Sequence, residues 1–372
     1  MRLLMLPRYS RQGANSRYRL WQFIPGLESA GHQVDVKPML GDRYLEQLYR
    51  QGVRPLGSII AGYARHLSRL TQVHRYDAVI LDQELLPYLP PVFEQWLCLR
   101  NANVMVDYDD AAYLKYERYS WLRGRIGAIM KAARATVVGN RHLEAYARQF
   151  SGDVRFIPTV VDVGKYAAKS HAALDAIRIC WIGTPLTAAE YLPALLPVFV
   201  ELQRRFPQLS FRLIGAGRIA GADAVNVEIV DWSEEKEAEL IAECDIGIMP
   251  LPDSEFQRGK CGLKLIQYMA AGLPVVASPV GENRYIVDHG QNGFLASDAS
   301  EWVSQLELLI RDTALRARMG ASGRERVEQR YSLAQGLALW TQLLDDLQHA
   351  GKKAVLATPS RAEELKSEVA SQ

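Results

Sequence analysis

The chain has 372 residues, 48% of them apolar and 23% charged. That is the balance of a soluble globular protein of about two domains, and it excludes a low-complexity or disordered chain. No run approaches the ~18 apolar residues of a membrane-spanning helix. The four cysteines, Cys98, Cys180, Cys244 and Cys261, are too scattered for a disulfide framework or a zinc site and fit a reducing cytoplasm. The apolar run at Met1–Leu6 is too short for a signal peptide and reads as a first buried strand. Net charge is +2, but residues 1–165 carry 23 Lys+Arg against 15 Asp+Glu and the remainder 21 against 27. A first half at +8 beside a second at −6 points to an anionic partner for the first half. Nucleic acid is excluded as that partner, because the basic residues are not interleaved with aromatics and no nucleic-acid motif is present. An anionic membrane surface or a lipid diphosphate remains.

Apolar strand-like runs alternate with helical patterns from the start. The runs 2–6, 33–38, 78–81, 104–107, 135–138 and 154–157 form one set. After a polar, alanine-rich linker at 162–176, the same grammar restarts at 177–182, 210–214, 227–230, 246–249 and 275–277. Apolar strands separated by helices predict parallel sheets covered on both faces, hence an α/β chain of two doubly wound, Rossmann-like domains. The division falls into an N-terminal domain at 1–165, a C-terminal domain at 166–330, a helix at 331–350 and a polar tail at 351–372 without core pattern. In such folds ligands sit at the carboxyl ends of the strands.

The loop after the first strand, 8–19, contains Gly13, Asn15, Arg17 and Arg19. Gly13 lets backbone approach a ligand, and Arg17 or Arg19 could clamp a phosphate with two parallel hydrogen bonds. Ser16 reads equally as a helix N-cap. Segments 54–70 and 121–133 are basic and amphipathic; each suits either the sheet face or an anionic membrane. Asp107-Tyr108-Asp109-Asp110 ends the 104–107 run. These carboxylates suit a divalent cation, the orientation of sugar and acceptor hydroxyls by Asp109 and Asp110, or plain turn and capping chemistry. Gly183 and Thr184 follow the first strand of the second set and offer backbone N–H groups to a diphosphate. Gly215-Ala-Gly-Arg-Ile-Ala220 matches a dinucleotide fingerprint, but it follows the second strand of its set, so it reads as a turn lining a nucleotide cleft. Trp232 could stack on a nucleobase or serve the core.

The densest signal is Gly259-Lys-Cys-Gly-Leu-Lys-Leu-Ile-Gln267, continuing to Gly272-Leu-Pro-Val-Val-Ala277 and Glu282. A glycine-bearing turn feeds a helix at 263–271, Gly272 stops it, and a strand follows. The N–H groups at Gly262 and Leu263 make an anion seat, Lys260 and Lys264 add charge, and Gln267 lies one turn on, able to hold a hydroxyl as donor or acceptor.

This segment resembles the nucleotide-binding stretch of retaining GT-B glycosyltransferases. Those usually carry two glutamates separated by seven residues before a Gly-Leu-Pro-Val-Val-Ala-type strand. Here the two acidic positions fall on Gly259 and Gln267, so the chain is similar to a subgroup with Gly-Lys-Cys-Gly-x-Lys in place of that motif. The resemblance extends to Ile157-Pro-Thr-Val-Val-Asp162 and Trp181-Ile-Gly-Thr184. It implies the GT-B architecture, with a terminal helix crossing back to the N-domain, and a retaining hexosyl transfer without metal or other cofactor. Gly183, Thr184, Gly215, Trp232, Gly262, Leu263, Gln267 and Glu282 would bind a nucleotide-sugar donor. Asp109, Asp110, Lys260 and Lys264 would carry catalysis, the lysines replacing basic residues that relatives place just past Gly183. Gly13, Asn15, Arg17 and Arg19 would meet the acceptor or a phosphate. The acceptor is expected to be a lipid-linked or glycan precursor, met by a cytoplasmic enzyme peripheral to the inner membrane face. The alternatives are a nucleotide-sugar epimerase of the same fold and an inactive nucleotide-sugar-binding subunit.

Overall fold

Alternation along the strands sets the layers. In β1 (Arg2–Leu6) Leu3 and Met5 enter one apolar cluster and Leu4 and Leu6 another, all buried, because successive side chains point to opposite sheet faces. The computed structural model describes residues 1–171 and 176–357. Within them β2 (Gln33–Val36), β3 (Ala78–Asp82), β4 (Val104–Tyr108), β5 (Ala135–Val138) and β6 (Val154–Phe156) join β1 in a parallel sheet of order β2-β1-β3-β4-β5-β6. A second parallel sheet has the order β12-β11-β10-β7-β8-β9. Its strands are β7 (Arg178–Ile182), β8 (Ser210–Ile214), β9 (Val227–Val230), β10 (Ile246–Met249), β11 (Val275–Ala277) and β12 (Gly293–Leu295). The inner strands of both sheets are buried on both faces: in β7, Ile179 and Trp181 face one cluster and Cys180 and Ile182 the other. Two Rossmann-like domains in the GT-B manner result.

The chain crosses between the sheets twice at one place. Val161 N–H donates to Tyr331 O at 3.0 Å, and Leu333 N–H returns to Val161 O at 2.8 Å. The last helix, Leu333–Ala357, then lays Trp340, Leu343, Leu344 and Leu347 on the first sheet, beside Leu20, Phe23 and Leu27.

Several local expectations are corrected. Strand β12 was not expected; it has only three residues, too few to show a period. The helix expected at 121–133 runs Arg125–Ala132, because Gly124 sits in the left-handed region at φ 78° and caps it. Arg125 is not in water: it is buried, with Nη2 2.5 Å from Glu94 Oε1 and Nε 3.2 Å from Glu84 Oε2. Ser16 is not the N-cap of its helix, Ala14–Arg19, whose cap is Gly13. Its buried hydroxyl donates instead to Asp82 Oδ2 at 2.6 Å. The terminal helix continues through 351–357, part of the expected tail; residues 358–372 lie outside the described residues.

Candidate functional site

The carboxyl ends of the two sheets face one another, and the loops after the strands touch along two lines. The first line is built on 259–264. Gly262 is the N-cap of the helix Leu263–Ala270, at φ 69°. An added Cβ there would come 2.2 Å from Ile286 Cδ1, so the turn admits glycine alone. Gly259 meets the other domain just as closely: a Cβ would lie 2.8 Å from Ala111 Cβ and 3.0 Å from Ala111 N. The first position where the resemblance expects a glutamate therefore has no room for one in this arrangement. Asn140 Nδ2 donates to Gly259 O at 2.6 Å, and Cys261 Sγ to Asp109 O at 3.1 Å.

Lys260 Nζ reaches across the cleft to Asp110 Oδ1 at 2.8 Å. Lys264 is different. It is half-buried, and it has no hydrogen-bond or ion-pair partner among the described residues. Its Nζ lies 5.5 Å from the Trp181 ring centre, the ring against which Gly183 closes (a Cβ there would meet Trp181 at 2.4 Å). Burial first, and then the charge of Lys260, brings the Lys264 ammonium down to about 8. Lys264, Gly183 and the N-terminus of the 263–270 helix thus border one electropositive place at the end of β7.

The three aspartates at the end of β4 separate. Asp107 is clamped by Arg19, whose Nη2 and Nε lie 2.5 and 2.9 Å from its two oxygens. Arg19 is fully buried and also donates to Ile157 O at 2.8 Å, so it braces the first sheet and is not offered to a ligand; its burial and its salt bridge to Asp107 correct the expectation of a phosphate clamp. Asp109 Oδ1 accepts from Asn15 Nδ2 at 2.6 Å and Gln83 Nε2 at 3.0 Å. Burial, then Asp110 and Asp82, raise the Asp109 carboxyl well above its usual range. Of the three carboxylates, only that of Asp110 pairs with the other domain among the described residues. Gly13 is needed for Tyr9 and not for a ligand, since a Cβ would sit 2.5 Å from Tyr9 Cβ.

The second line joins the first loop to the loop after β9. Arg17 is buried, with its guanidinium 4.9 Å from the ring centres of both Tyr18 and Trp232. It also lies 3.4 Å from Glu237 Oε2 and 3.7 Å from Glu234 Oε2. Trp232 Nε1 donates to Glu237 Oε2 at 2.7 Å. Gln267 Nε2 donates to Tyr18 Oη at 3.0 Å and Tyr166 Oη at 3.3 Å. Gly215, at φ 70°, backs on Trp232 Cβ and Gly183 O. Thr184 is exposed and caps the helix Pro185–Tyr191. Glu282 is buried and pairs with the guanidinium of Arg141, whose backbone N–H also donates to it at 3.1 Å. That pair borders a separate cavity of about 390 Å³ with His142, Asp253, Arg258 and Arg284.

Lys260, Lys264, Gly262, Leu263, Gly183 and Asp110 therefore come together. Arg17, Trp232 and Gln267 form a second group, while Arg19, Gly13 and Glu282 stand apart. Tyr18, Glu237, Asn140 and Arg141 were missed by sequence reasoning. Glu237 had a weak signal, a carboxylate five residues after Trp232; Tyr18 had none.

Residues 178–312 match the family described as Glycosyl transferases group 1. That span contains Gly183, Trp232, Lys260, Lys264 and Gln267. Trehalose synthase of Pyrococcus horikoshii is 29% identical over 86 residues, 23% of this chain and 21% of that protein. D-inositol 3-phosphate glycosyltransferase of Corynebacterium jeikeium is 26% identical over 194 residues, 45% of this chain and 46% of the relative. The chain spans less than half the length of the curated relatives it matches. Among solved structures, sucrose-phosphate synthase of Thermosynechococcus elongatus superposes with a TM-score of 0.68 at 18% identity, over 94% of this chain and 100% of that one. HepE of Anabaena, described in complex with UDP and glucose, gives 0.68 at 16% identity over 93% and 100%. These likenesses establish the fold, and the family match places a glycosyl transferases group 1 domain in the second half.

Proposed function

We propose that this chain transfers a hexose from a nucleoside-diphosphate sugar to an acceptor, with retention at the anomeric carbon. The observation that carries the reading is Lys264, an ammonium without a partner among the described residues, beside Gly183 and the glycine-capped helix start. As the anomeric bond breaks, charge builds on the departing diphosphate, and cations and N–H groups already aimed at it stabilise that charge. Lys260 would join once the diphosphate competes with Asp110. Asp110, with Asp109 behind it, would orient hydroxyls, and no metal or other cofactor is needed. HepE's description with UDP and glucose makes UDP-hexoses the first donors to try.

The acceptor is proposed to be lipid-linked or a glycan precursor, met at the inner face of the membrane by a cytoplasmic enzyme. Leu56 and Ile60 are 72% and 68% exposed on the helix Leu56–Arg69, where Arg65 and Arg69, with Arg54 just before the helix, supply charge for an anionic surface. The test is release of nucleoside diphosphate from a panel of nucleotide sugars, with and without acceptor extracts. Turnover that needs no acceptor and returns an isomeric nucleotide sugar would favour an epimerase. Binding without turnover would leave a donor-binding subunit.

A further inference from the structure

Tyr18 belongs to the first domain, yet its side chain is buried in an apolar cluster made almost wholly of second-domain residues, among them Ile266, Met269 and Leu265. Its hydroxyl is saturated there. The Oη–H donates to Glu237 Oε1, and Tyr18 Oη itself accepts from Gln267 Nε2 at 3.0 Å. Burial and the Glu237 carboxylate hold the phenol well above its usual range, so it stays a donor. One carboxylate that only accepts and one amide that donates, converging on one oxygen, is a seat for an alcohol. The side chains of Tyr18, Glu237, Gln267 and Arg17 are all at least nine-tenths buried, so the seat is desolvated and an unmatched group in it is costly.

The seat lies where a nucleoside would. Gln267 follows Lys264 by three residues on one helix, a rise of about 4.5 Å, which suits a ribose next to its phosphate. The indole of Trp232, held by Glu237, has one face under the Arg17 guanidinium. Arg17 Nη1 is buried there without a hydrogen-bond partner, an imperfection that its departure relieves.

We propose that Glu237 and Gln267 together read the vicinal diol of the donor's ribose, and that the Tyr18 hydroxyl is a placeholder for it in the ligand-free chain. Nucleotide binding exchanges Tyr18 Oη for a ribose hydroxyl, and Arg17 swings off Trp232 with it, opening a face for the base. The carboxylate that reads the sugar thus comes from the helix Glu237–Ala242 and not from position 267. The amide at 267 suits this arrangement: a second carboxylate would face Glu237 across the Tyr18 hydroxyl, which has one proton to give. The inference rests on the donor reading above.

The test uses calorimetry on the full chain with whichever of UDP, ADP or GDP binds most tightly, and its 2′,3′-dideoxy analogue. Wild type is expected to prefer the ribonucleotide at least tenfold, as a buried site does when its polar groups lose their match. Glu237→Gln should lose at least tenfold for the ribonucleotide and less than twofold for the dideoxy form. Tyr18→Phe, which empties the seat, should bind the ribonucleotide a few-fold more tightly with discrimination intact. Equal losses for both nucleotides in Glu237→Gln, no discrimination by wild type, or weaker binding by Tyr18→Phe would overturn the inference and leave the donor reading standing. If Glu237→Gln does not fold, the analogue comparison and Tyr18→Phe decide alone. Failure of wild type to bind any of the three nucleotides would overturn the donor reading, and this inference with it.

Discussion

The two lines of contact across the cleft treat charge in opposite ways. On the Tyr18 side the seat is full: Glu237 has partners on both oxygens and Gln267 donates twice. On the 259–264 side, Lys264 waits without a partner among the described residues and Lys260 holds a carboxylate that an anion could replace. A buried amide, hydroxyl and carboxylate are costly when unmatched, so the polar pocket is filled from within. A half-buried lysine keeps some water, and the strain shows instead as a lowered proton affinity.

The largest effect that separates the two ends should come at Lys264. Lys264→Ala is expected to lower donor turnover by about a hundredfold or more, measured as nucleoside-diphosphate release; loss of less than tenfold would move the anion seat elsewhere. The same position carries a stability effect of opposite sign. Its ammonium falls to about 8 in the fold, from about 10.4 in an unfolded chain, so the unfolded state binds more protons between those values. Stability contributed here therefore rises as pH rises from about 8 towards 10.4 and is lost below 8. Lys264→Met should then melt higher than wild type at pH 7 without ligand, yet gain nothing from nucleotide, as thermal denaturation would reveal.

Next in size is the pH dependence of nucleotide affinity. Below about 8 Lys264 is charged in the free protein and affinity should be flat; above it, affinity should fall by up to about tenfold per unit. Calorimetry from pH 6.5 to 9.5 reads this, and a flat profile to 9.5 would remove Lys264 from the phosphate contact. A smaller change is expected at Asp110. Asp110→Asn frees Lys260 and should tighten nucleoside-diphosphate binding a few-fold while slowing transfer. The smallest effect concerns the membrane: Leu56→Glu with Ile60→Glu should reduce sedimentation with anionic vesicles of the full chain by several-fold and leave turnover of soluble substrates unchanged.

Eleven of the twelve strands were legible, because a parallel sheet buried on both faces demands continuous apolar runs, and the glycine-lysine turn was legible because turn, helix, glycine stop and strand follow one another there in the sequence. What the sequence hides is charge that the fold takes inside. Arg19 and Arg125 look like surface cations, but each is buried against carboxylates far away in the chain. The partner lies 88 residues from Arg19, and no local pattern records that distance. Tyr18 was invisible for a related reason: its role depends on the apposition of two domains, and its neighbours in sequence, Arg17 and Arg19, drew the reading towards a phosphate clamp. Ser16 has the chemistry of a cap, and the tertiary pull of Asp82 overrode it.

The double crossing at Val161 and Leu333 makes the second domain an insertion within the first. The first domain is thus discontinuous in the gene: its last helix supplies Trp340, Leu343, Leu344 and Leu347 to a face whose strands were laid down before residue 157. Burying four such side chains contributes roughly 6–12 kcal/mol, which is as much as an average domain has in total. A fragment cut at residue 165 would therefore lack part of its own core, and a chain being synthesised could not finish its first domain until its second had been made. A nearer approach to an independent first domain would join residue 161 to residue 333 by a short linker and leave out everything between.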